Sequence, residues 1–245
     1  MSCMLSVNLN KVALLRNQRD VGYPSVTRAA ATCIAAGADG VTVHPRPDER
    51  HIRVSDVHEL AAMLTVEFNI EGNPEPEFLE LVAEVKPAQC TLVPDSPEQR
   101  TSDHGWDLAT DGARLEPVIA KLKAYGIRVA LFMDPEPGNM ARAAAVGADR
   151  IELYTEAYAR AFGGPEETVT LARYVDSAAA ARDVGLGINA GHDLSLDNLP
   201  AFASAVPELL EVSIGHALTA DALWMGFDNA IARYKSALTG IAASP

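Results

Sequence analysis

Residues 35–44 read AAGADGVTVH and residues 145–153 read AVGADRIEL. In both, small helix-compatible residues lead into a glycine, an Ala-Asp pair and a short apolar run. The glycine suits a helix C-terminus, where a left-handed residue ends the spiral. The apolar run suits a buried strand. The likeness between the two stretches is a weak internal repeat, and recurrence of one helix-to-strand unit accounts for it.

Working outward, eight short runs of this kind punctuate the chain. They are LSVN ending at Asn8, VTVH at His44, EFNIE at Glu71, CTLVPD at Asp95, VALFMD at Asp134, RIELYT at Thr155, GINAGH at His192 and EVSIGH at His216. Longer amphipathic segments separate most of them, so the pattern reads as repeated βα units. Eight units in 245 residues suit an α/β chain folded as a single (β/α)8 TIM barrel, which needs roughly 250 residues, with room for extra short helices. No Pro/Gly/Ser linker or charge block interrupts the rhythm, so one domain is expected over 1–245.

The expected elements are a first strand over 4–9, then a loop carrying Lys11, Arg16 and Arg19 to a helix over 24–36. The next helix is expected to start near Ser55, a good N-cap. Pro74 and Pro76 open the third helix. The longest loop, DSPEQRTSDHGWDLATD, runs from 95 to 111; loops of this length in compact domains are often lids or binding segments. Further helices are expected over 165–183 and 219–238.

Composition excludes several classes. The net charge of −13 argues against nucleic acid as a partner, because phosphate-backbone binding needs a basic face. An anionic ligand would need a local basic exception, and Arg46, Arg50, His51 and Arg53 after the second strand supply one. No apolar run reaches the roughly 18 residues of a membrane span, and MSCMLSVNLNKVALL lacks signal-peptide features. Cys3, Cys33 and Cys90 show no CxxC spacing and read as reduced thiols of a cytoplasmic protein. The histidines show no HxH or HxxxH spacing, so no metal is expected, and the phosphate-loop fingerprints are absent.

In a parallel barrel every strand's C-terminal end opens on one mouth, where catalytic groups emerge. His44, Glu71, His192 and His216 would therefore gather there. Histidine moves protons near neutrality. A carboxylate such as Glu71 closing a buried strand is solvated, ion-paired or functional. Glu152, inside its strand, needs a partner if it faces the barrel interior. Gly191–His192 and Gly215–His216 follow the last two strands, where backbone N–H groups and a helix N-terminus commonly hold phosphate.

Taken in order, VNLNKVALLRNQR, AGADGVTVHPRPDERHI, FNIEGN, LVPD with Thr101 downstream, RIELYT, INAGHDL and SIGHAL resemble the pyridoxine 5′-phosphate synthase family of the deoxyxylulose-dependent vitamin B6 pathway. The resemblance spans nearly the whole chain. It implies a phosphate-binding barrel that joins 3-amino-2-oxopropyl phosphate to 1-deoxy-D-xylulose 5-phosphate, with no metal or organic cofactor, in a homo-octamer. It implies His44 and Glu71 as proton acceptors, His192 as proton donor and Glu152 as an added carboxylate at the reacting centre. Asn8, Arg19, Gly215 and His216 would contact the amino-ketone phosphate; Arg46, His51 and Thr101 would contact the deoxyxylulose phosphate. Two positions depart from the family pattern: Asn10-Lys11 stands where Asp-His is common, and Asp193 where glycine is common. Both stay within the expected substrate-binding set. Two other readings remain open: an aldolase-like barrel with Lys11 as Schiff-base nucleophile, and a barrel that binds phosphometabolites without turnover.

Overall fold

The computed structural model describes residues 3–19 and 21–239. Its strands are β1 (Met4–Asn8), β2 (Gly40–Val43), β3 (Glu67–Gly72), β4 (Gln89–Leu92), β5 (Arg128–Met133), β6 (Arg150–Tyr154), β7 (Gly187–His192) and β8 (Leu209–Ile214). All pair in parallel in chain order, and β1 pairs with β8 to close the barrel. A closed ring leaves no edge strand to protect. The one register irregularity among the described pairings falls between Ile188 and Asn189, against β8.

The repeated Gly-Ala-Asp stretches perform one task twice. Gly37 and Gly147 take φ of 103° and 91°, which L side chains resist. Asp39 Oδ2 then accepts the Leu5 N–H at 2.8 Å, and Asp149 Oδ2 accepts the Val129 N–H at 2.9 Å. Each carboxylate thus holds the start of the preceding strand. Each also meets a lysine from a neighbouring helix, Lys235 and Lys123 respectively.

Helices α1 (Asn10–Asn17), α2 (Val26–Ala35), α3 (Val54–Met63), α4 (Pro76–Val85), α5 (Leu108–Ala124), α6 (Met140–Ala145), α7 (Glu156–Ala161), α8 (Glu167–Asp183), α9 (Leu199–Ala205) and α10 (His216–Thr239) complete the fold. A short 3-10 turn at Pro137–Asn139 precedes α6, and α10 is broken at Gly226, whose φ is 78°. Apolar residues pack between ring and helices: Val7, Val41, Ile70, Leu92, Leu131, Ile151, Ile188 and Val212 are all buried there.

Several boundaries differ from expectation. The segment expected as a loop with Lys11 and Arg16 is helix α1; Arg16 is buried, ion-paired to Asp56, and donates to the His51 carbonyl at 3.0 Å. That partner is tertiary, so local propensity did not show it. Helix α3 starts at Val54 with Arg53 at its N-cap, because Asp56 rather than Ser55 accepts the Arg53 N–H, at 2.8 Å. The long loop ends earlier than expected, at Asp107, which caps α5 through the Ala109 N–H. The last helix begins at His216, directly after β8, and not at 219.

Removing either strand-holding carboxylate strands a backbone N–H. Asp39→Ala and Asp149→Ala should each lower unfolding free energy by ~1–3 kcal/mol, with the Asn variants milder because an acceptor remains. Urea denaturation measures this; wild-type midpoints for both Ala variants would refute the role.

Candidate active site

The strand C-termini surround a cavity of about 570 Å³. Asn8, Asn10, Lys11, His44, Arg46, His51, Glu71, Thr101, Glu152, His192, Asp193, Gly215 and His216 all line it. Arg19 does not: it is exposed, just beyond α1. The structure therefore assembles the sequence-derived set at one mouth with that single residue outside.

The geometry is built strand by strand. Asn8 ends β1; its Oδ1 accepts the Asn10 N–H at 3.0 Å and its Nδ2 donates to Glu71 Oε2 at 3.4 Å. Asn10 Oδ1 accepts the backbone N–H of His44 at 2.9 Å. The amide offers an acceptor oxygen here, as a carboxylate would. Gly191 leaves room for the Glu152 carboxyl, because a Cβ there would lie 2.2 Å from Glu152 Oε1. Gly215 likewise admits the Asn8 side chain, 3.1 Å from where its own Cβ would be.

Electrostatics set unusual protonation states. Burial, then the charges of Arg46, His51 and Arg50, push the His44 imidazole well below its ordinary value. His51 falls to about 4 through burial and the positive charges of Arg46, Lys11 and Arg50. Both rings are neutral at pH 7. The Ile52 N–H donates to His51 Nδ1 at 2.9 Å, so neutral His51 carries its proton on Nε2. Burial lifts Glu71 well above the carboxylate range, helped by Glu152, Asp95 and Glu211 and opposed by Arg46. Burial and Glu211 raise Glu152 to about 8, against a hydrogen bond from Thr91. Glu152 Oε2 is buried without a hydrogen-bond partner, which suits a group waiting for a ligand or a proton.

His192 adopts a φ of 97°, a conformation costly for a residue with a Cβ and concentrated at functional sites. Its Nδ1 meets Asp193 Oδ2 at 2.7 Å and its Nε2 meets Thr101 Oγ1 at 2.9 Å. The ring stands edge-on to Tyr154, with centroids 5.3 Å apart. The Asp193 carboxylate therefore turns toward the imidazole and does not face the anion site head-on. Burial raises its pKa, but the hydrogen bond and charge of His192, with His216 and Lys11, outweigh this and hold the carboxyl low.

Sequence reasoning missed Asp95 as a partner. Its Oδ2 is ion-paired with Arg46 and accepts Ser102 Oγ–H at 2.7 Å. Arg100, Ser102, Phe132 and Ser213 also line the cavity, outside the set expected from sequence. Phe132 lies two residues before Asp134, the end of the apolar run VALFMD, on the inward-facing alternate, and that spacing is the available signal. Among the described residues no group of three or more His, Cys, Asp or Glu is placed to hold a metal ion.

Comparison with known proteins places this arrangement. Residues 5–240 match the family model described as "Pyridoxal phosphate biosynthesis protein PdxJ". The chain belongs to this family. It is 56% identical to a pyridoxine 5′-phosphate synthase of Albidiferax ferrireducens, covering 96% of both chains. It is 53% identical to one of Brucella anthropi, over 97% of this chain and all of the relative. Among solved structures, phosphoribosyl anthranilate isomerase of Thermotoga maritima covers 98% of the chain with a TM-score of 0.61 at 16% identity. That distance establishes the barrel fold and nothing about chemistry.

The raised Glu152 gives a stability signature. Below the unfolded value near 4.5 both states hold the proton; between there and about 8 only the folded state does, so this group's contribution declines as pH rises. Glu152→Gln does not titrate. Its stability relative to wild type should climb from pH 5 to pH 8, by up to ~1.4 kcal/mol per pH unit. Denaturation midpoints across that range measure it; a pH-independent difference would contradict a proton held on Glu152.

Proposed function

We propose that the chain is a pyridoxine 5′-phosphate synthase, condensing 3-amino-2-oxopropyl phosphate with 1-deoxy-D-xylulose 5-phosphate to pyridoxine 5′-phosphate, phosphate and water. The observation that carries the reading is the pairing of neutral imidazoles with proton-bearing carboxyls around one cavity. Ring formation by amine addition, dehydration, phosphate loss and carbon–carbon closure moves protons and needs no change of redox state. It calls for a base and an acid that coexist at neutral pH, and separated pKa values supply both.

In this reading His44, neutral and near the guanidinium groups of Arg46 and Arg50, accepts a proton. Glu71 and Glu152 share the task of holding and returning protons through their mutual charge. His192 donates through the Nε2 that Thr101 now contacts, with its ring oriented by Asp193. Asn8, Asn10 and Lys11 shape the floor for the amino-ketone and sugar hydroxyls. Gly215 and His216 open helix α10 at the cavity, where free backbone N–H groups favour a phosphoryl group. Arg46 and His51 supply donors for the deoxyxylulose phosphate and for charge developing as phosphate leaves. Arg19 stands outside the cavity and would reach the amino-ketone phosphate only from a different arrangement of its segment. Lys11 is half-buried and acts as a positive charge on both His51 and Asp193, which favours anion or hydroxyl binding over a Schiff-base role.

The reading includes phosphorylated small molecules as the only ligands, no metal or organic cofactor, a cytoplasmic setting and a homo-octameric assembly. No helix among the described residues is long and apolar enough to cross a membrane. Leu15, Tyr23 and Leu223 are exposed around one apolar groove of about 370 Å³, which supports contact with another copy. Light scattering should give a mass well above the 26.0 kDa of one chain; a monomer at assay concentration would remove the assembly from the reading.

Incubation with both substrates should release phosphate together with product absorbance. Folded protein that yields neither would overturn the assignment. Glu71→Gln and His192→Asn should each slow turnover by roughly 10²-fold or more, and single-turnover measurements with saturating substrates would check this.

A further inference from the structure

Arg50 lines the cavity, yet its guanidinium is committed elsewhere. Nη1 donates to the Gln99 carbonyl and Nη2 to the Pro97 carbonyl, both at 2.7 Å. Nε donates to both Asp48 carboxylate oxygens, at 2.7 and 3.0 Å. The Gln99 carbonyl also accepts from Arg46 Nη1 at 3.0 Å, so two guanidinium groups converge on one oxygen. Residues 96–101 belong to the connection between β4 and α5, and they end in the Thr101 that touches His192 Nε2. These carbonyls lie in a segment without regular structure, so side chains and water are their available donors. A planar fork anchored at its Nε by a carboxylate spans two carbonyls at a fixed distance, which a lysine ammonium does not.

We propose that Arg50 is a positioning residue of the reaction: its fork clasps the Pro97 and Gln99 carbonyls, holds segment 96–101 across the mouth and so delivers Thr101 to His192. The condensation reading supplies what is being positioned; the clasp itself rests on the contacts. Arg46 secures the same segment from beneath through buried Asp95, whereas Arg50 works from the rim, half-buried beside exposed Asp48. Three of the five N–H donors of Arg50 are occupied by protein, which suits a residue that holds a segment in place.

Exposed Arg100 lies in the clasped segment and makes it readable by trypsin. In Arg50→Gln, cleavage after Arg100 should speed up at least ~5-fold. The kcat for pyridoxine 5′-phosphate formation should fall ~10-fold or more, with each substrate's KM within ~3-fold of wild type. Arg50→Lys should behave like Arg50→Gln, because charge alone does not bridge two carbonyls. Thermal melts within ~3 °C of wild type identify folded variants, and amide hydrogen exchange of 96–101 gives the same readout without protease. Cleavage and exchange at wild-type rates would overturn the clasp. So would full rescue by lysine, or a loss confined to the KM of one phosphorylated substrate. Faster opening with unchanged kcat would overturn its part in the reaction. If wild-type protein forms no product, the condensation reading fails on that ground, while cleavage and exchange still decide the clasp.

Discussion

A closed ring of parallel strands sends every second side chain into a lumen with little access to bulk water. In this barrel the lumen is polar, so its residues must satisfy one another. At the N-terminal ends, Arg128 pairs with Glu67 and donates to Gln89. Arg150 reaches Gln89 and Asn189, and lies 3.8 Å from Glu211. Higher up, Ser6, Thr42, Asn69 and Thr91 form a chain of hydrogen bonds from β1 to β4. The described cations of the lumen, Arg128 and Arg150, are spent on Glu67 and Glu211 at the floor. Glu152 and Glu71, nearer the mouth, have no comparable partner, and burial leaves them holding protons.

That imbalance sets up the chemistry. Protonated carboxyls sit opposite imidazoles kept neutral by burial and by the guanidinium groups of Arg46 and Arg50. The surroundings reverse the carboxyls' ordinary preference at neutral pH and hold the imidazoles unprotonated, which lets acid and base act together. The same arginines tie the connection after β4 to the rim, so the electrostatics of His44 and His51 and the placement of Thr101 depend on one loop geometry.

Strand ends were legible because a parallel barrel makes residue order equivalent to position on the rim: Asn8, His44, Glu71, His192 and His216 needed only the rhythm of apolar runs. The lumen was less legible. EFNIEG reads as a buried run, yet Glu67, Asn69 and Glu71 alternate with Phe68 and Ile70, and that period of two assigns the polar set to the interior. Helix α1 was hidden because buried Arg16 depends on Asp56, distant in sequence. The Asp95 partner of Arg46 was hidden for the same reason.

From the chain alone came the number of βα units, the side of the barrel that carries function, the family and the residue types of the site. Folding decided which of those residues are paired, which are left without a partner and which hold a proton. Asp193 shows the division plainly: the sequence shows a carboxylate where glycine is common, and its contact with His192 makes it a support for the imidazole. Hydrogen-bond partners and desolvation belong to neighbours brought together across the ring, and no local stretch of sequence contains them.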